Sequence, residues 1–136
     1  MKRLFISFAL LAFLLSAASR AKGEGEIVTA VVGSDGVQHV EILAESYLFK
    51  PDHIIVRINI PVELSVRKKG GITPHNIVID APESGIEIKK ALAASPMALR
   101  FTPSKAGSYA YYCDKKLLFF KSHRAKGMEG VLEVRE

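Results

Sequence analysis

The chain has 136 residues, a formal net charge of +5, and 49% hydrophobic against 24% charged residues. That length suits one domain with a single core and not two. Its lysines and arginines are scattered, which excludes a nucleic-acid footprint, and a single cysteine, Cys113, excludes an internal disulfide framework.

Lys2 and Arg3 precede an apolar run from Leu4 to Leu15, and the small residues Ser16, Ala17 and Ala18 follow. A positive start, a short greasy stretch and a small-residue cleavage site make a secretory signal peptide over residues 1–18, with cleavage as late as residue 21 equally readable. The run is shorter than the about 20 residues that span a bilayer, so no stable membrane insertion is expected once the leader is cut. The expected location is the periplasm or the cell exterior. The mature part then carries a mild positive balance, which suits an acidic partner and equally a solvated surface. Residues 21–26 read as a loose leader, and the domain is expected over residues 27–136.

Short strands divided by turn signals follow, with no amphipathic helix. Residues 27–32 form a β-branched run closed by Gly33-Ser34-Asp35-Gly36. Residues 37–43 alternate, with Gln38, Val40 and Ile42 on one side. Residues 47–51 end at Pro51, which stops regular pairing. Residues 54–60 alternate again, with Ile54, Val56, Ile58 and Ile60 facing one way, and Val62, Leu64 and Val66 resume after Pro61. Residues 77–79 make a short apolar strand after Pro74-His75-Asn76. Residues 80–96 read mostly as loop, with 86–92 either a strand or a helical turn. Strands over 98–102, 108–113 and 131–134 complete the chain, and Tyr109, Tyr111 and Cys113 share a face. Seven to eight short strands at this spacing predict an all-β, antiparallel Greek-key sandwich or barrel.

The chemistry-bearing residues cluster toward the end. Cys113 closes a strand, and His123 and Met128 lie in the loop after it. Nine residues separate Cys113 from His123 and four separate His123 from Met128. His75 opens a strand far upstream, and strand ends of a sandwich meet at one pole. A lone thiol in an oxidising compartment can be an inert core residue, an intermolecular bridge, a nucleophile or a metal ligand. The company of two histidines and a methionine favours the ligand. Thiolate and thioether suit reduced copper and imidazole suits either oxidation state. Two His and one Cys with a weak axial Met is the set that holds electron-transfer copper. His39 and His53 have no such company and read as exposed or capping residues. No acid–base pair or nucleophile–base couple is evident, so no enzyme is expected.

The stretch Gly107-Ser108-Tyr109-Ala110-Tyr111-Tyr112-Cys113, followed by a His and a Met before Gly130, resembles the C-terminal copper-binding signature of the cupredoxins. Pro74-His75-Asn76-Ile77-Val78-Ile79 is similar to their first ligand segment. Phe49-Lys50-Pro51 before Ile54-Ile55-Val56 resembles a strand entry common among them. The resemblance covers residues 40–136. It implies a mononuclear type 1 copper held by His75, Cys113, His123 and Met128, serving single-electron transfer with a redox partner such as a cytochrome or an oxidase. It also matches Asn76 to the residue that ties the first ligand loop to the cysteine loop. The chain departs from the family in one respect. Cupredoxins place the second His two to four residues after the Cys, whereas the run 114–122 here must loop outward to return His123. A carboxylate axial donor, Glu129 or Glu45, stays open beside Met128. Leu117-Leu118-Phe119-Phe120, flanked by Lys115, Lys116 and Lys121, either folds over the metal or forms an apolar docking patch for the partner. Two rivals keep the same ligands: a copper-binding or copper-delivery protein without electron transfer, and a metal-free or zinc-bearing structural module.

Overall fold

The computed structural model describes residues 25–136, so the leader read over residues 1–18 lies outside the described residues. Ten strands follow in order: β1 (Ile27–Thr29), β2 (Gln38–Glu45), β3 (Leu48–Lys50), β4 (His53–Arg57), β5 (Val62–Lys68), β6 (Asn76–Ala81), β7 (Ile86–Ala91), β8 (Met97–Phe101), β9 (Gly107–Tyr112) and β10 (Glu129–Arg135). They form two sheets, one of six strands in the order β1-β4-β10-β9-β6-β7 and one of four in the order β3-β2-β5-β8. The all-β sandwich expected from the sequence is the fold of the chain. The count exceeds the seven to eight expected because two three-residue strands, β1 and β3, pair only at the margins of the sheets.

Pairing is mixed and not wholly antiparallel: β1 and β10 both run parallel to β4, and β2 runs parallel to β5. Alternation within a strand fixes which face is buried but says nothing about strand direction. Direction follows from the chain crossing between layers, as it does from β4 to β5 and from β5 to β6. Where the sequence left residues 86–92 undecided, β7 pairs along all of β6, entered through a 3₁₀ turn at Pro82–Ser84.

The alternation read in β2 is realised, with Gln38, Val40, Ile42 and Ala44 buried. With Leu64 and Val66 of the neighbouring β5 and Ile54, Val56, Ile77, Ile79 and Leu132 of the facing sheet, they form one core between the layers. β4 stops at Arg57, short of the expected Ile60, where Asn59 turns into the left-handed region at φ 60°. Gln38 is the polar exception in the core. Its amide nitrogen donates to the carbonyls of Arg57 and Ile60, and its oxygen accepts the Arg57 amide at 2.7 Å. The side chain thus satisfies backbone groups that the end of β4 would otherwise leave unpaired.

Two registers position the later chemistry. β9 pairs antiparallel with both β6 and β10, with Tyr112 opposite Val78 on one side and Glu129 on the other. The start of β6, the end of β9 and the start of β10 therefore meet at one pole. Beneath that pole the Tyr111 hydroxyl donates to the Pro51 carbonyl at 2.7 Å, and the Asp52 carbonyl accepts the Val131 amide. Gly130 lies opposite Tyr111 because only a residue without Cβ leaves room there: a methyl would press on the Tyr111 ring and sit 2.6 Å from the Asp52 carbonyl. Tyr111→Phe should cost about 1–3 kcal/mol in denaturant unfolding, because the buried Pro51 carbonyl loses its donor. Gly130→Ala should cost more than Tyr111→Phe, since the clash involves backbone as well as ring.

Candidate metal centre

His75, immediately before β6, Cys113, immediately after β9, and His123, in the loop before β10, are all buried, and their ligand atoms lie within 4.8 Å of one another. Each imidazole turns Nδ1 toward the sulfur, His123 at 3.5 Å and His75 at 4.0 Å. The ring centroids are 5.0 Å apart. Met128 is also buried and packs in the same cluster as Cys113. Its carbonyl accepts the Cys113 amide at 3.1 Å and its own amide donates to the His123 carbonyl at 3.0 Å. The four residues singled out in the sequence thus come together at one pole.

The two alternative donors do not join them. Glu129 is exposed and pairs with Arg124 at 2.8 Å, while Glu45 lies 3.8 Å from both Lys50 and Lys69. His39 pairs with Asp35 and His53 with Glu133, each at 2.8 Å, and neither belongs to the cluster.

The nine-residue spacing is resolved by a pinch. The His123 amide donates to the Lys115 carbonyl at 2.8 Å, and the Arg124 amide donates to the Cys113 carbonyl at 3.0 Å. These bonds bring His123 back beside Cys113 and expel the residues between as an outward loop. Leu117, Leu118, Phe119 and Phe120 are accordingly exposed at 65%, 74%, 85% and 52%. They do not bury themselves over the cluster, so of the two readings the exposed patch is the one realised.

Asn76 braces the cysteine from the first ligand segment. Its backbone N–H points at Cys113 Sγ at 3.4 Å, its side-chain amide donates to Asp114 at 2.7 Å, and its side-chain oxygen accepts the Asp114 amide at 3.0 Å. The Lys89 ammonium, ahead of the Asn76 amide, holds the Asp114 carboxyl below its usual range and keeps it a charged acceptor. Two supports were not foreseen. Ser46 Oγ lies 3.1 Å from His75 Nε2; with Nδ1 turned to the sulfur as the free lone pair, Nε2 carries the proton and donates to the hydroxyl. Tyr47 stands edge-on to His123 at 4.7 Å. Both come from the turn between β2 and β3, and no motif in the sequence marks that turn as lying at this pole.

Burial pushes the pKa values of both histidines down, with the His123 ring and then Lys68 adding at His75, and Lys126 adding at His123. Both imidazoles are therefore held neutral, the form a metal requires. Three buried donors within 4.8 Å of one another are a set that could hold one ion. Their chemistry, two imidazoles and a thiol with a buried thioether beside them, suits copper.

A family model for the cupredoxin-like domain matches residues 4–128. The chain belongs to the cupredoxin-like family. Among solved structures, it is similar to the metal-binding domain of the Cu(I)-exporting P-type ATPase of Streptococcus pneumoniae, determined with Cu(I), at 26% identity and a TM-score of 0.63, over 84% of this chain and 100% of that one. It also shares its fold with an apo copper-binding protein at 18% identity and a TM-score of 0.59, over 82% and 97% of the two chains. An auracyanin from Roseiflexus castenholzii matches at 19% identity and a TM-score of 0.56, over 72% and 97%. No curated protein matches. The family and the donor set together point to a single type 1-like copper site.

Because Cys113 is wholly buried, its thiol should react with an aqueous disulfide reagent slowly in the folded protein. The rate should rise by orders of magnitude in denaturant. Fast labelling of the native chain would show that the pole is open where the geometry has it closed.

Proposed function

We propose that this chain is an exported mononuclear copper protein that carries single electrons. In this reading His75, Cys113, His123 and Met128 would hold the ion. The observation that carries the proposal is the arrangement of three buried donors, already converged on one point and braced by Asn76 and Ser46. Bound copper would supply reversible one-electron chemistry. The chain's own contribution is rigidity, because ligands set at strand ends and tied by the backbone bonds among Cys113, His123 and Met128 would need to move little as an electron came or went.

The residues divide the work. The Asn76 N–H directed at the sulfur stabilises negative charge there. Ser46 fixes the His75 tautomer and ring angle. His123 reaches the edge of a groove of about 480 Å³ bordered by Tyr47, Ile72, Leu117, Phe120 and Lys126. Electron exchange with a redox partner such as a cytochrome or an oxidase would run through this edge, with the apolar rim excluding water. Cys113 and His123 lie at hydrogen-bond distance, but the sulfur is wholly buried and out of a substrate's reach, so the reading is a carrier and not an enzyme. Export follows from the leader and from a lone thiol best protected by coordination in an oxidising compartment.

A second reading, copper binding or delivery without electron transfer, is favoured by the 26% identity to the exporter domain solved with Cu(I). The same ligands would then hand over an ion, and the groove beside His123 would admit the acceptor.

Loading the purified protein with Cu(II) should give an intense thiolate-to-copper charge-transfer band and a paramagnetic resonance signal of one copper. Cys113→Ser should abolish the band. Met128→Leu should leave the metal bound but raise the reduction potential, since a thioether donor is lost. A colourless product would sink the electron-carrier reading, and rapid copper loss to a chelator with slow self-exchange would favour delivery. Ser46→Ala should weaken metal affinity by about 10-fold or more, read by chelator competition, because the His75 ring loses its support.

A further inference from the structure

The loop expelled by the Lys115–His123 pinch has a crest that the metal centre does not use. A turn closed by the Phe120 amide on the Leu117 carbonyl at 3.0 Å lifts Leu118, at φ 47°, and Phe119 to its top. These two side chains are the most exposed of the loop's four apolar residues, and neither lines the groove beside His123. Across that groove Ile72 is fully exposed. Such a run of large apolar side chains held in water implies a surface that covers it.

The charge around the crest narrows what that surface is. Lys115, Lys116 and Lys121 flank the four apolar residues, Arg124 and Lys126 follow, and no acidic residue occurs between Lys115 and Gly127. Lys115, Lys116 and Lys121 form no ion pair among the described residues. The nearest acid, Asp114, is engaged by Lys89 and Asn76 behind the loop. A projecting wedge of two side chains ringed by cations offers little of the roughly 800 Å² per partner that a stable protein interface buries. It matches the boundary between headgroups and acyl chains, where apolar side chains enter the bilayer edge and lysines meet anionic lipid.

We infer that the Leu118–Phe119 crest is a membrane-contact element that docks the protein reversibly on a bilayer surface bearing anionic headgroups. Leu118 and Phe119 enter the interface, and Lys115, Lys116 and Lys121 supply the electrostatic attraction. Neither contribution suffices alone, so binding is weak, salt-sensitive and peripheral. The groove at His123 adjoins the crest, so docking turns that edge of the metal centre toward the bilayer and toward any partner embedded in it. The inference concerns the loop and not the ion, and its test needs no copper.

The chain contains no tryptophan, so Phe119→Trp places a single fluorophore at the crest. The full chain carrying this substitution is mixed with vesicles of phosphatidylcholine and phosphatidylglycerol at about 7:3, and with vesicles of phosphatidylcholine alone. The expected result is an emission shift to shorter wavelength and quenching by brominated acyl chains, with the mixed vesicles only and lost at high salt. Val31→Trp, introduced instead at the exposed opposite end of the sandwich, should stay water-like under the same conditions, so a leader that holds the protein to vesicles cannot mimic the result. Replacing Lys115, Lys116 and Lys121 by Glu should weaken the response at least about a hundredfold, since each lysine near an anionic surface contributes roughly fivefold. Unshifted emission from the Phe119→Trp chain with the mixed vesicles overturns the inference. An equal shift with neutral vesicles overturns its electrostatic half. A shift produced by a soluble acidic protein but by no vesicle reassigns the crest to a protein interface and also overturns it. None of these outcomes bears on whether Cu(II) gives the charge-transfer band.

Discussion

A buried sulfur with polar neighbours on three sides is the constraint around which this sandwich is organised. Cys113 leaves β9 at the point where the six-stranded sheet ends, and Asn76 N–H, His75 and His123 all converge on it. Groups of this kind are costly inside a protein unless each has a partner, and no buried side-chain nitrogen or oxygen among the described residues is without one. The convergence is achieved by register. β9 lies between β6 and β10, both antiparallel to it, so one end of each strand arrives at the same pole. Tyr111 and Gly130, one step below, lock that register through a hydroxyl on the Pro51 carbonyl and a backbone approach that no larger residue allows.

Much of this was legible in the sequence, for specific reasons. Cysteine, histidine and methionine are rare enough that a lone Cys113 with two histidines and a methionine in strand-end positions carries information about chemistry by itself. The alternation through residues 38–44 reports the buried face of β2 because its period of two is the pleat of a strand. Other features are invisible along the chain. The parallel pairings of β4 with β10 and of β2 with β5 depend on which layer each crossing reaches, which no local pattern encodes. Ser46 and Tyr47 meet the histidines because the turn between β2 and β3 lies over the pole, and a Ser-Tyr pair before a strand has no signature of its own.

The spacing between Cys113 and His123 shows how a departure from a family pattern can be absorbed. Backbone bonds from His123 to Lys115 and from Arg124 to Cys113 close the base of the loop, so the distance between the ligands is set by two hydrogen bonds and not by the number of residues between them. Once the base is closed, added residues cost little in loop entropy, which grows only with the logarithm of length. They also sit in water, where their identity has little leverage on the ligand geometry.

That separation has a functional consequence. In a short loop, one set of residues must both hold the second imidazole and form the contact surface beside it, so a change in recognition disturbs the metal. Here Lys115 and His123 hold the geometry at the base, while Leu117 to Phe120 present apolar surface beyond it. Tyr47 and Lys126 mark the border between the two, the tyrosine packed on His123 and the ammonium 4.1 Å from the tyrosine ring. The chemistry of the pole and its surroundings can therefore be altered independently. This independence explains how a sequence can carry so apolar a run next to its ligands without burying the run, and without losing the ligands' convergence.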